Sequence, residues 1–155
     1  DFVKDGLITT TDGNSIDYDY IEKQILQDCT DFDVKMIAYD RYNSTHLIQK
    51  LTESECTEMI PFNQTTTWFN APIKELELLA HQGRLNHANN KVLNWHCSNV
   101  VLIKDSNDNV KFDKAKSIEK IDSMVSLAMA LGIAIKDIEE KPEESIYNTR
   151  GLLEL

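Results

Sequence analysis

No apolar run in the 155-residue sequence approaches the roughly 20 residues that a membrane-crossing helix needs. The longest, MVSLAMALGIAI at 124–135, reads as a buried helix instead. No segment combines the basic start, apolar middle and small-residue end of a signal peptide, and the chain opens on DFVKDG without an initiator methionine, as a piece cut from a longer protein would. Basic residues are scarce: 16 Lys and Arg face 26 Asp and Glu, for a net charge of -10. That balance argues against general affinity for nucleic acid, since a phosphate-binding surface is normally basic. The three cysteines, Cys29, Cys56 and Cys97, are odd in number, form no CxxC pair and have no histidine at zinc-ligand spacing. They read as reduced thiols of a cytosolic compartment. There is no GxxxxGK[ST] phosphate loop, so ATP hydrolysis is not expected of this chain, and there is no internal repeat or low-complexity tract.

What is present is 41% hydrophobic residues in a length that suits one domain with a real core. From Asp17 to about Cys29, Ile21, Ile25 and Leu26 lie at helical spacing with acids in the first turn. VKMIAY at 34–39 reads as a strand buried on both faces. A helix follows from Ser44 to about Ser54, then a second short strand in TEMIPF, then a polar connection. APIKELELLAHQG at 71–83, with Pro72 near its start and Gly83 at its end, carries helix punctuation. This alternation predicts a parallel sheet of the βαβ kind, an α/β class. The second half predicts a β-hairpin in VVLIKDSNDNVKF and a long late helix from about Ser117 to Ile135. Beyond Pro142 the tail is charged, and an extended or loosely docked segment is expected at 141–155.

Two carboxylates stand out. Asp40 is the first residue past the carboxyl end of the 34–39 strand, the edge where open α/β sheets bind ligands. An aspartate there also caps or turns. Asp122 shares a helical face with Ile118, Val125 and Met129, which aims it at the core or a cleft. The alternative is a helix rolled so that Asp122 sits on the rim near Lys116 or Lys120. Two such acids suit a hard divalent metal with oxygen ligands, and two such ions could activate water against a phosphodiester.

Four blocks, FVKDGLITTTDGNSIDYDYI, IAYDRYNS, APIKELELLAHQGRLNHANNKVLNWHCSNVVLIKDSNDNVKFDKAKSIEKIDSMVSLAMALG and SIYNTRGLLEL, resemble the carboxy-terminal nuclease domain of tailed-phage terminase large subunits. The YDR with its following Asn, and the KIDSMVSLAMA helix, are the most specific, and the resemblance covers nearly the whole chain. It implies a ribonuclease H-like nuclease fold, here lacking its first strands, spanning 1–140 with a tail at 141–155. It also implies cutting of concatemeric viral double-stranded DNA during genome packaging, with two Mg2+ or Mn2+ ions. Asp40 and Asp122 correspond to two of that family's metal-binding acids, and a further aspartate is implied on an opening strand upstream of residue 1. The implied partners are double-stranded viral DNA, an upstream ATPase domain, the portal and the terminase small subunit, in the bacterial host cytoplasm and with no membrane.

Further candidates for DNA contact are Arg41, Asn43, Gln64, His87, Lys116 and Lys120. Arg41 lies beside the acid, where it either meets a phosphate or pairs with a neighbouring carboxylate. Asn43 either orients the site or caps the next helix. Gln64 faces the same sheet edge, and His87 sits in RLNHANN, where an ordinary loop histidine is the competing reading. Lys111, Lys114, Lys116 and Lys120 form the basic cluster nearest Asp122, which a solvated face also explains. The alternative function, from a different class, is a catalytically silent docking remnant of the packaging motor that contacts the portal or the ATPase domain.

Overall fold

The computed structural model describes residues 2–42 and 44–140, the last three by their backbone alone; Asn43 and the tail at 141–155 therefore lie outside the described residues. Helix α1, Tyr18–Asp31, starts where Asp17 accepts from the Tyr20 amide at 3.0 Å. Two exposed pairs one turn apart, Gln24 with Asp28 and Gln27 with Asp31, line its surface at 2.9 Å. Strand β1, Met36–Tyr39, helix α2, Thr45–Glu53, and strand β2, Glu58–Pro61, then form a βαβ unit. The two strands are parallel, with Met36 opposite Glu58 and Tyr39 opposite Pro61. The alternation in the sequence predicted this pairing, because only a crossover connection joins parallel neighbours.

Helix α3, Thr66–His81, begins five residues before the expected start, so the supposed polar connection is largely its first turn and Pro72 lies inside it. A proline there gives up one backbone hydrogen bond. Burial outweighs that cost: Phe69 and Pro72 are both buried on the face that meets the core. Helix α4, Lys91–Asn99, had no counterpart in the periodicity reading. Strands β3, Leu102–Lys104, and β4, Val110–Phe112, are the predicted hairpin, with Ile103 opposite Lys111. Its turn is closed by Asp105, whose carboxylate accepts from the Asn107 and Asn109 amides and from the Asn109 side chain.

Helix α5, Asp122–Glu140, begins five residues later than the apolar spacing suggested. The residues before it are taken up by a turn in which Asp113 accepts from the Ala115 and Lys116 amides and Ser117 donates back to the Asp113 carbonyl. The core joins Phe62, Phe69 and Ile73 to Val110 and Phe112 of the hairpin and to Ile121, Val125, Ala128, Met129 and Ile133 of the α5 region. Phe69 touches both Phe62 and Phe112, with ring centroids 5.1 and 5.3 Å apart. Helices α3 and α5 run antiparallel: Gly132 faces Pro72, and the Lys136 ammonium lies 3.3 Å from the centre of the Trp68 ring. Among the described residues, no helix is long and apolar enough to cross a membrane.

Candidate functional site

Asp40 leaves β1 where the Phe62 amide donates to the Tyr39 carbonyl at 2.8 Å, tying the two strand exits together. Its half-buried carboxylate has a partner on each oxygen. Oδ1 accepts from the Tyr42 amide at 3.1 Å, and Oδ2 accepts from Gln64 Nε2 at 2.7 Å. The Ser44 hydroxyl donates to the Asp40 carbonyl, which fixes the entry to α2. The turn role of Asp40 is therefore present, and it leaves the carboxylate at the strand exit. A carboxylate oxygen holds two lone pairs, so each still has one to offer a cation. Gln64, named as a DNA contact, is spent first on orienting Asp40. Arg41 is exposed and borders a shallow recess with Tyr39, Ser44 and Ile48.

Beyond Gln64 the surface continues into a recess of about 240 Å³ shared with Lys111, Asp113 and Lys114. Lys114 also borders the next recess, where Ile118, Lys120 and Asp122 lie. Lys116 is paired with Asp113 at 3.5 Å. Lys120 points outward, while its carbonyl accepts from Asn99. Asp122 is exposed, at the first position of α5. The apolar-stripe reading fails there because Ile118, its supposed neighbour one turn back, precedes the helix and is 79% exposed. The rim alternative holds, with the positive end of the α5 dipole favouring the charge.

Lys114 borders both the recess beside Gln64 and the one that Asp122 lines; Asp40 itself lines neither and reaches the first only through its hydrogen bond to Gln64. It is the Gly132 end of α5, ten residues and about 15 Å along the helix from Asp122, that packs on Phe62 at the strand exit. The acids suit a hard cation by donor type. Among the described residues, however, no group of three or more His, Cys, Asp or Glu side chains is placed to hold a metal. These residues do not make a complete metal centre.

His87 is turned away from the acids. It lines an apolar cavity of about 350 Å³ with Leu76, Leu93 and Leu127, and its Nδ1 is buried without a partner. Cys29 and Cys56 are neighbours in space; burial and the adjacent Cys56 thiol push the Cys29 thiol up, away from nucleophile chemistry. Two polar residues that the sequence reading passed over are buried on α4. His96 accepts at Nδ1 from the Ser123 amide at 3.1 Å with the Ser123 hydroxyl 2.6 Å away, and Asn99 donates to the Lys120 carbonyl at 3.2 Å. The signal available for α4 was Asn90, whose side chain caps the Val92 and Leu93 amides at 3.0 Å.

The terminase large subunit, endonuclease domain, matches residues 2–137. The chain belongs to this family. It is 30% identical over 141 residues to the terminase large subunit of Enterobacteria phage HK97, covering 90% of this chain and 28% of that protein. It is 32% identical over 136 residues to protein YmfN of Escherichia coli (strain K12), covering 86% of this chain and 30% of that protein. The crystal structure of the HK97 bacteriophage large terminase superposes with a TM-score of 0.77 at 31% identity, over 85% of this chain and 28% of that one. The mixed α/β arrangement is thus that of a part of a phage terminase, and the chain spans less than a third of the length of these relatives.

Proposed function

We propose that this terminase nuclease-family chain serves a divalent-metal-dependent endonuclease that cuts concatemeric viral double-stranded DNA during packaging, on a ribonuclease H-like fold. The observation that carries the reading is Asp40: a half-buried carboxylate at the exit of a parallel strand, held at 2.7 Å by Gln64 with lone pairs still open. Asp40 and Asp122 are the metal-binding acids in this reading, with the remaining ligands coming from outside the described residues. A bound Mg2+ or Mn2+ ion supplies the positive charge that water attack on a phosphodiester needs. Gln64 keeps Asp40 in one orientation, and Lys111 and Lys114, bordering the recess beside it, meet the phosphate backbone, with Lys120 and Arg41 in two other recesses adding to the contact. The net charge of -10 makes unaided DNA binding weak, so in this reading the ATPase domain and the portal hold the DNA, with the small subunit a further partner, in the host cytoplasm.

The lack of a three-ligand group among the described residues favours a second reading, a silent docking module of the packaging motor. Titration of the chain with Mn2+, followed by paramagnetic broadening of amide resonances and by plasmid cleavage, separates the two. The nuclease reading expects broadening centred on Arg41 and Gln64 that Asp40→Ala removes, and nicking that both Asp40→Ala and Asp122→Ala abolish. Broadening spread evenly over the exposed acids, with no nicking, would leave the docking module as the better account.

A further inference from the structure

We propose that α4 is a positioning element for Asp122, acting through His96 and Asn99; this rests on the reading of Asp122 as a metal-binding acid. Polar side chains this deep are uncommon in a helix–helix seam: His96 is 8% exposed and Asn99 7%. Both are spent on residues that bracket the acid, Lys120 before it and Ser123 after it. Asn99 Nδ2 donates to the Lys120 carbonyl at 3.2 Å, and His96 Nδ1 receives the Ser123 amide at 3.1 Å, with the Ser123 hydroxyl 2.6 Å from the same nitrogen. Between them Ile121 is sunk in the core at 3% exposure.

The Ser123 amide belongs to the first turn of α5, where no carbonyl of the helix can accept it. His96 takes that donor, so Nδ1 is an acceptor and the ring proton of the neutral tautomer lies on Nε2. The main chain is therefore pinned one residue after Asp122 and two residues before it, while the Asp122 side chain stays exposed in its recess. A seam that only joined two helices would need apolar contact alone. This one fixes the backbone on both sides of the Asp122 carboxylate, which shares its recess with Glu119, as outer-shell partners fix a metal ligand.

The test is Mn2+ titration of the whole chain, read by amide broadening at Ser123 and, separately, at Gln64, with the unfolding temperature measured alongside. His96→Phe keeps the ring volume and removes the acceptor; His96→Asn returns an acceptor near the Nδ1 position. Expected is a roughly tenfold weaker response at Ser123 in His96→Phe, an unchanged response at Gln64, and recovery in His96→Asn. If His96→Phe fails to fold, Asn99→Leu, which removes the other tie, carries the same expectation. A folded His96→Phe or Asn99→Leu that responds at Ser123 as the unmodified chain does overturns the inference. If Asp122→Asn also leaves the Ser123 response unchanged, it is the metal reading of Asp122 that has failed, and the inference falls with it.

Discussion

Gly132 sits in the middle of α5, where alanine ordinarily gives the more stable helix by about 1 kcal/mol. Here a Cβ would stand 2.8 Å from the Phe62 ring and 3.3 Å from Pro72 Cγ. Phe62 is 1% exposed and wedged against Phe69 and Trp68, so its ring has no room to withdraw. Overpacking of this kind costs about 1–3 kcal/mol. Gly132→Ala is therefore expected to lower the urea midpoint despite the gain in helix propensity, and an unchanged or raised midpoint would show that the seam yields. At Gln64 the expectation is functional. Gln64→Leu removes the donor on Asp40 Oδ2 but leaves the carboxylate access to water, so stability changes by about 1 kcal/mol or less. Mn2+ affinity at Asp40 should fall roughly tenfold through loss of orientation. Equal Mn2+ isotherms for the two proteins would remove Gln64 from the site.

Between elements, ion pairs tie α1 to α2. Lys50 reaches Asp19 at 2.7 Å and Glu22 at 2.9 Å, while α1 itself has no buried residue. Lys50 holds the Asp19 carboxyl below its usual range, and Asp19 with Glu22 raises the lysine. For the depressed acid, stabilisation is present above its unfolded pKa and lost as pH falls through the folded one. For the raised lysine it is complete below the unfolded pKa and lost as pH rises through the folded one. The tie therefore operates from about pH 4 to about pH 10. Lys50→Met should speed amide exchange in α1 at pH 7, with the difference from the unmodified chain shrinking below about pH 4 and in high salt. A difference that survives both conditions would mean that the lysine acts through its apolar stem. The elements that were legible, β1, α2, β2 and the hairpin, each show their own apolar period or turn residues. Helix α4 was not, because the buried groups on its inner face include His96 and Asn99, which no apolar count registers.

Across the molecule, the buried cluster links the strand exit, α3, the hairpin and α5, and α1 lies outside it. Exchange protection should accordingly be highest in α3 and α5 and lowest in α1. Phe69→Ala, which empties the junction of three of these parts, should cost about 3–5 kcal/mol and lower the protection of α3, the hairpin and α5 together. Loss confined to α3 would mean that the cluster is not cooperative. The sequence by itself determined the parallel βαβ unit, the hairpin and the place of Asp40 at a strand exit, since alternation, crossover length and turn chemistry are local properties of the chain. It also carried the family likeness. Only the tertiary structure decided that Pro72 lies inside a helix, that Asp122 stands on a rim, that Gln64 holds Asp40, and that His96 and Asn99 grip the start of α5. Each of those depends on which surfaces compete for burial and on which buried donors and acceptors then find one another, and partners 21 to 27 residues apart leave no periodic trace in the chain.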